Sequence, residues 1–176
     1  FPYTTLFRSL LGNSLIVFAG DNGCEVGCDQ GPLRGKKGTP YEGGTRVPMI
    51  ISWPGRVPQG ATYGQPVSLM DIYPTMLDAV GRPTLATQGL DGVSLLPALR
   101  GSPVLPHANL FFSTRPGQAS VKSGPWKMYQ FRGRYELYDL RTDLGEQRNL
   151  VKVRPDVVAV LAPRIRAWLA GMQPRR

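Results

Sequence analysis

Asn13-Ser14-Leu15-Ile16-Val17-Phe18-Ala19-Gly20-Asp21-Asn22-Gly23 is the stretch on which the fold turns. Leu15 to Ala19 is a short, unbroken apolar run, too brief for a helix of ordinary length. Continuous rather than alternating hydrophobicity predicts a strand covered on both faces, as in a parallel sheet flanked by helices. The run breaks at Gly20-Asp21-Asn22-Gly23, which sets a carboxylate and an amide at the strand's C-terminal end. In open α/β sheets that edge is where ligands bind. Asp and Asn present only oxygen to a hard cation such as calcium, although Asp-Asn-Gly is equally a turn sequence. Two oxygens do not fill a calcium shell, so further ligands would have to come from elsewhere.

Downstream, residues 24–45 form a long Gly-rich polar loop, and loops of that length inside compact domains are often functional. Gly35-Lys36-Lys37-Gly38-Thr39 sits in it. Flanking glycines let the backbone approach a ligand and aim an ammonium at an oxyanion, an attraction of roughly 4 kcal/mol at ~4 Å before desolvation. The other reading of this turn is a solvated loop. It is not a phosphate-binding P-loop, because GxxxxGK[ST] does not occur. In Tyr41-Glu42-Gly43-Gly44-Thr45-Arg46, Glu42 and Arg46 are placed to pair and brace the loop's return. Val47 to Trp53 predicts a second strand. Asp71 to Val80 predicts a helix with Ile72, Met76, Leu77 and Val80 on one face and Gly81 as its stop. Ser94 to Arg100 predicts a short capped helix closed by Gly101.

The pattern changes near Gly101. Leu110–Ser113, Ala119–Val121, Trp126–Phe131 and Tyr135–Leu140 are aromatic and β-branched runs, and Arg132-Gly133-Arg134 joins the last two as a hairpin. They predict a small antiparallel sheet. Pro155 then opens a helix to about Ala170 with an apolar stripe of Val157, Val158, Leu161, Ile165, Trp168 and Leu169.

The chain has 176 residues, a net charge of +9 and 41% hydrophobic residues, which suits a folded domain or one small domain plus part of another. No apolar run approaches the roughly 20 residues needed to cross a bilayer, and no targeting segment stands at the start. Arg supplies 16 of the 21 basic residues. They are scattered without a nucleic-acid motif, which argues against a nucleic-acid partner and leaves an attraction to sulfated polyanions open. Cys24 and Cys28 have no zinc-ribbon spacing and no neighbouring His. A local disulfide and two free thiols both remain open. Phe1 to Ser9, FPYTTLFRS, resembles the translation of a sequencing-adaptor oligonucleotide, so the native frame is expected to begin near Leu10, in mid-domain.

Gly20-Asp21-Asn22-Gly23, then GPLRGKKGTPYEGGTRVPMIISWPG over 31–55, SLMDIYPTMLDAVG over 68–81 and LDGVSLLPALRG over 90–101 together resemble the later part of the sulfatase catalytic domain. The tail WKMYQFRGRYELYDLRTDLGEQRNL over 126–150 resembles the C-terminal subdomain of the same family. The resemblance runs from about Leu10 to Gly171. It implies an α/β fold of the alkaline phosphatase and sulfatase superfamily. Residues 10–101 would be the C-terminal part of the catalytic sheet with flanking helices. Residues 102–176 would be an antiparallel sheet with a C-terminal helix.

The resemblance further implies a sulfuric ester hydrolase with Asp21 and Asn22 as calcium ligands. Lys37 would contact the sulfate group, with Lys36 as the adjacent fallback. The family nucleophile is a formylglycine made from Cys or Ser in a Cys-x-Pro-Ser-Arg motif, whose hydrate attacks sulfur. That motif does not occur here, nor do the family's active-site histidines, and His107 does not match them. The expectation is a portion of a calcium-dependent sulfatase that is inactive alone. Its partners would be a sulfate-ester small molecule or a sulfated glycan, and export would follow the family's habit. The alternatives are a phosphate or phosphonate ester hydrolase of the same superfamily and a non-catalytic polyanion-binding module.

Overall fold

The computed structural model describes residues 10–82, 89–103 and 106–172. The adaptor-like segment Phe1–Ser9 lies outside them. The chain divides into two compact units: residues up to Asp21 together with Pro48–His107, and Asn22–Val47 together with Ala108–Arg176.

In the first unit, β1 (Ile16–Ala19) pairs with β2 (Met49–Ser52). The pairing is antiparallel, with Ile16 opposite Ser52 and Ala19 opposite Met49. The sequence pattern predicts a parallel setting for β1. The observed hand follows from the return of the chain at Pro48, whose carbonyl accepts from Gly20 N–H at 3.1 Å and extends the ladder by one step. Leu15, Val17 and Ala19 face a groove of about 680 Å³ shared with Trp53, Ile72 and Met76. On the opposite face Phe18 and Ile50 are 62% and 61% exposed. Both faces of β1 are therefore apolar, as a doubly covered strand requires, but among the described residues only one is covered.

The helix α2 (Ile72–Ala79) is started by a capping box. Ser68 N–H donates to Asp71 Oδ2 at 2.7 Å, and Met70 N–H donates to Ser68 Oγ at 3.3 Å. Buried Asp71 also accepts from Val93 N–H at 2.9 Å and meets His107 Nε2 at 2.8 Å. One carboxylate thus ties three separated segments together. Gly81, with φ +74°, ends α2 as predicted. A single turn, α3 (Leu96–Leu99), follows. Thr75 Oγ1, which accepts from Leu95 N–H at 2.8 Å, fixes it to α2.

The second unit carries a meander of β3 (Leu110–Arg115), β4 (Gln118–Ser123), β5 (Trp126–Phe131) and β6 (Arg134–Asp139) in sequence order. The predicted runs lie in these strands, except that Leu140 falls one residue past the end of β6. Alternation then sorts the side chains into two faces. Ala119, Val121, Met128 and Leu137 point to one face and are fully buried against Leu161, Ala162 and Ile165 of α4 (Pro155–Gly171). Each such side chain contributes roughly 1.5–3 kcal/mol by leaving water. Phe111 stacks on Trp168 at 5.2 Å at the edge of the same cluster. Pro163 lies inside α4 on its exposed side, where water can satisfy the carbonyl that loses its donor. The other face of the sheet, which carries Ser120, Lys122, Lys127, Tyr129, Glu136 and Tyr138, is covered by the loop Asn22–Val47.

Candidate functional site

The loop reaches the sheet because three contacts hold it there. Ser120 Oγ donates to the Pro40 carbonyl at 3.0 Å. Tyr41 packs on Tyr129 with ring centroids 5.0 Å apart, and its hydroxyl donates to Glu136 Oε2 at 2.9 Å. The Arg34 guanidinium lies 4.1 Å from the centre of the Tyr41 ring and donates to Tyr138 Oη at 2.8 Å and to the Glu146 carbonyl at 3.0 Å.

Beneath this layer sits a buried ionic cluster. Glu42 opens α1 (Glu42–Thr45) and is 1% exposed. Its Oε1 lies 2.7 Å from Lys127 Nζ, and its Oε2 lies 3.3 Å from Lys122 Nζ and 3.6 Å from Arg46 Nη1. The predicted Glu42–Arg46 pair is present, yet it is the longest of the three. Lys127 has no solvent exposure and also donates to Thr45 Oγ1 at 3.1 Å. Burial pushes the Glu42 carboxyl up, but Lys127 and Lys122 beside it outweigh that and hold it below the usual carboxylate range.

Glu146 closes the cluster from below. Its Oε2 accepts from Glu42 N–H at 2.8 Å, while its buried Oε1 has no hydrogen-bond partner among the described residues. Burial pushes the Glu146 carboxyl up to about 7, against the pull of Lys127.

This cluster fixes the backbone of α1, and α1 in turn supports the lysine turn. Gly43 N–H donates to the Arg34 carbonyl at 2.7 Å. A Cβ on Gly44 would meet the Thr39 and Lys36 carbonyl oxygens, so only glycine lets the helix pass this close. Within the turn, Thr39 Oγ1 donates to the Lys36 carbonyl at 2.7 Å and accepts from Lys36 N–H at 3.1 Å. Gly35 and Gly38 adopt φ +83° and +81°. Lys37 N–H donates to the Cys24 carbonyl at 3.0 Å, and Gln30 Nε2 donates to the same oxygen at 2.9 Å. Cys24 and Cys28 are joined as a disulfide, which answers the alternatives left by their spacing. The side chains of Lys36 and Lys37 are exposed on a backbone bonded on both sides. The backbone of the turn is therefore held at several points, and both lysine side chains lie outside it.

Asp21, exposed, ends the first unit at the rim of its groove, and Asn22, half-buried, begins the second. The pair supplies two oxygen donors of the kind calcium takes, against the six to eight it needs. Among the described residues no three His, Cys, Asp or Glu side chains group as a metal site. The donor chemistry fits the ion in kind, and further ligands are required.

Sequence reasoning missed the Glu42–Lys127 pair, the role of Glu146 and the His107–Asp71 contact. Lys127 stands in an alternating strand where a lysine normally faces solvent. Only its partner 85 residues away explains its burial.

Residues 4–82 match the family model described as Sulfatase. A protein of Formosa agariphila described as Sulfatase is 34% identical over 89% of this chain and 33% of its own length. Arylsulfatase A of Homo sapiens is 35% identical over 81% of this chain and 34% of its own length. The chain thus spans about a third of the length of these curated relatives. Among solved structures, that of Ps i-CgsB in complex with k-i-k-neocarrahexaose superposes with a TM-score of 0.85 at 30% identity, covering 97% of this chain and 40% of that one.

Proposed function

Because the chain belongs to the sulfatase family, with its alkaline-phosphatase-like fold, we propose that it forms the C-terminal part of a calcium-dependent sulfuric ester hydrolase. Lys37 is the sulfate-contacting cation of that enzyme, and Asp21 and Asn22 are two of its calcium oxygens. The observation that carries the reading is the mount of Lys37. Its backbone is bonded to Cys24, its turn is packed on Gly43 and Gly44, and the helix beneath is anchored by a buried ion pair. A backbone held this way sets where the Lys37 side chain leaves the turn, and an ammonium presented there would stabilise charge that builds up on sulfate oxygens. When bound, calcium would supply Lewis-acid polarisation of a sulfate oxygen.

No Cys-x-Pro-Ser-Arg occurs among the 176 residues, so the formylglycine nucleophile must come from outside them, and the chain alone releases no sulfate. The neocarrahexaose complex of the 30%-identical structure supports an oligosaccharide substrate bearing sulfate esters. The Cys24–Cys28 disulfide supports an exported enzyme, since disulfides persist in oxidising compartments.

The test is the parent enzyme carrying Lys37→Ala, assayed for sulfate release with calcium and with chelator. The expected result is a fall in kcat of about 10²–10³. Asp21→Ala should raise the calcium concentration needed for half-maximal activity. Unchanged turnover in the lysine variant, or unchanged calcium dependence in the aspartate variant, removes the corresponding assignment.

A further inference from the structure

The four-stranded sheet ends, at its β3–β4 and β5–β6 turns, in three exposed arginines: Arg115, Arg132 and Arg134. Register brings the two turns together. Gln118 lies opposite both Arg115 and Phe131, and Phe131 lies opposite Arg134. Arg132 N–H donates to the Gly117 carbonyl at 3.4 Å, across from one turn to the other. The guanidinium carbons of Arg115 and Arg132 each lie 5.0 Å from the centre of the Phe131 ring, so they are no more than about 10 Å apart. That separation is comparable to the screening length of about 8 Å at physiological ionic strength, so the two charges feel each other. Among the described residues none of the three arginines forms an ion pair. The side-chain bond recorded for Arg115 runs to a neutral amide, Gln118 Oε1, at 3.2 Å.

The backbone at Arg132 is a tight turn. Arg132 has φ +50° and Gly133 φ +77°, the pattern of a two-residue hairpin loop with both central residues left-handed. Asn or Gly fills the first of these positions with less strain than a residue with a long side chain. Here an arginine holds it beside another arginine already seated on the same ring.

The ligand's chemistry follows from the donors. Guanidinium forks match the oxygens of sulfate and phosphate groups in pairs. Single-stranded nucleic acid would also need an open aromatic platform for its bases, and both guanidinia here already lie against Phe131. We propose that Arg115, Arg132 and Arg134 form a docking surface for a sulfated glycan chain, which they hold through sulfate groups within about 10 Å of one another. The choice of glycan rests on the substrate class proposed above, whereas the docking itself requires no turnover.

The test titrates the 176-residue chain with a heparin hexasaccharide, its desulfated counterpart and a single-stranded DNA dodecamer at several salt concentrations. Arg132→Asn keeps a residue suited to positive φ. It should leave the melting temperature unchanged or raised, weaken hexasaccharide binding about three- to tenfold at low salt, and reduce the slope of log K against log salt by about one. Arg115→Gln should act in the same direction, and the desulfated sugar should not bind. Affinity retained in both variants overturns the proposal. So does DNA binding that is equally tight and equally sensitive to them. Lys37→Ala separates the two readings. Loss of hexasaccharide binding only in that variant would move the sugar to the lysine turn and leave the hairpin arginines without it. Loss only in the arginine variants supports the docking surface even if the parent enzyme proves not to be a sulfatase.

Discussion

The two sheets of this molecule solve burial in opposite ways. The four-stranded sheet is covered twice, by α4 on one face and by the loop Asn22–Val47 on the other, and on the roofed face Lys127 is paired with Glu42 out of water. The two-stranded ribbon covers one face and leaves Phe18 and Ile50 exposed on the other. The first can carry its own stability. The second has the composition of a doubly covered strand without the second cover, and its apolar surface is the kind that recruits further chain. Apolar content alone does not make a core; what matters is whether each face finds a layer.

The largest effect that would test this contrast is at the buried pair. Glu42→Ala leaves the Lys127 ammonium buried and unpaired, and should cost about 3–5 kcal/mol in urea unfolding of the second unit. The double variant Glu42→Gln, Lys127→Met should recover most of that. Equal losses in the single and double variants would mean that the pair is not desolvated in solution.

Next comes the helix-side core. Ile165→Ala should cost about 2–5 kcal/mol, whereas Phe18→Ala should stay within about 0.5 kcal/mol in this chain. If Phe18→Ala cost as much as Ile165→Ala, the open face of the ribbon would have to be covered in solution. Unfolding followed through Trp53 should precede unfolding followed through Trp126 and Trp168, and coincident curves would contradict the contrast.

A smaller effect is pH-dependent. The Glu146 carboxyl is raised from 4.5 to about 7, so the folded state favours its protonated form. The stability it contributes is complete below about pH 4.5 and is lost as pH rises through about 7. Glu42, held low, loses its contribution only at acid pH, outside this window. A stability profile of the second unit should therefore fall between mildly acidic and neutral pH, and Glu146→Gln should flatten it.

Much of the fold was legible because it rests on local periodicity. The stripe from Val157 to Leu169 reads as a helix, and it is one. The runs around Phe111, Val121, Met128 and Leu137 read as strands, and Arg132-Gly133 reads as their tight turn. The lysine turn was legible from its glycines and its place in an ordered set of motifs. What stayed hidden depends on contacts distant in sequence. Nothing near Lys127 announces that it is buried, since an isolated lysine between Trp126 and Met128 fits a solvent-facing position. Nor does the Gly-rich loop disclose that it roofs a sheet formed some 70 residues later, because its contacts to that sheet are single side chains such as Tyr41 and Arg34. The antiparallel pairing of β1 with β2 was also hidden, since an apolar run specifies burial but not the direction of its neighbour.

The roofing loop has a consequence for engineering. A transplant of the C-terminal sheet and helix cut at Ala108 would seem natural from the sequence. It would carry Lys127 and Lys122 without Glu42, and Glu136 without Arg34 and Tyr41. The transferable module is discontinuous, and a chimera that swaps this sheet between relatives must swap the lysine turn with it. The sheet and the loop that carries Lys37 would then travel as one inherited block.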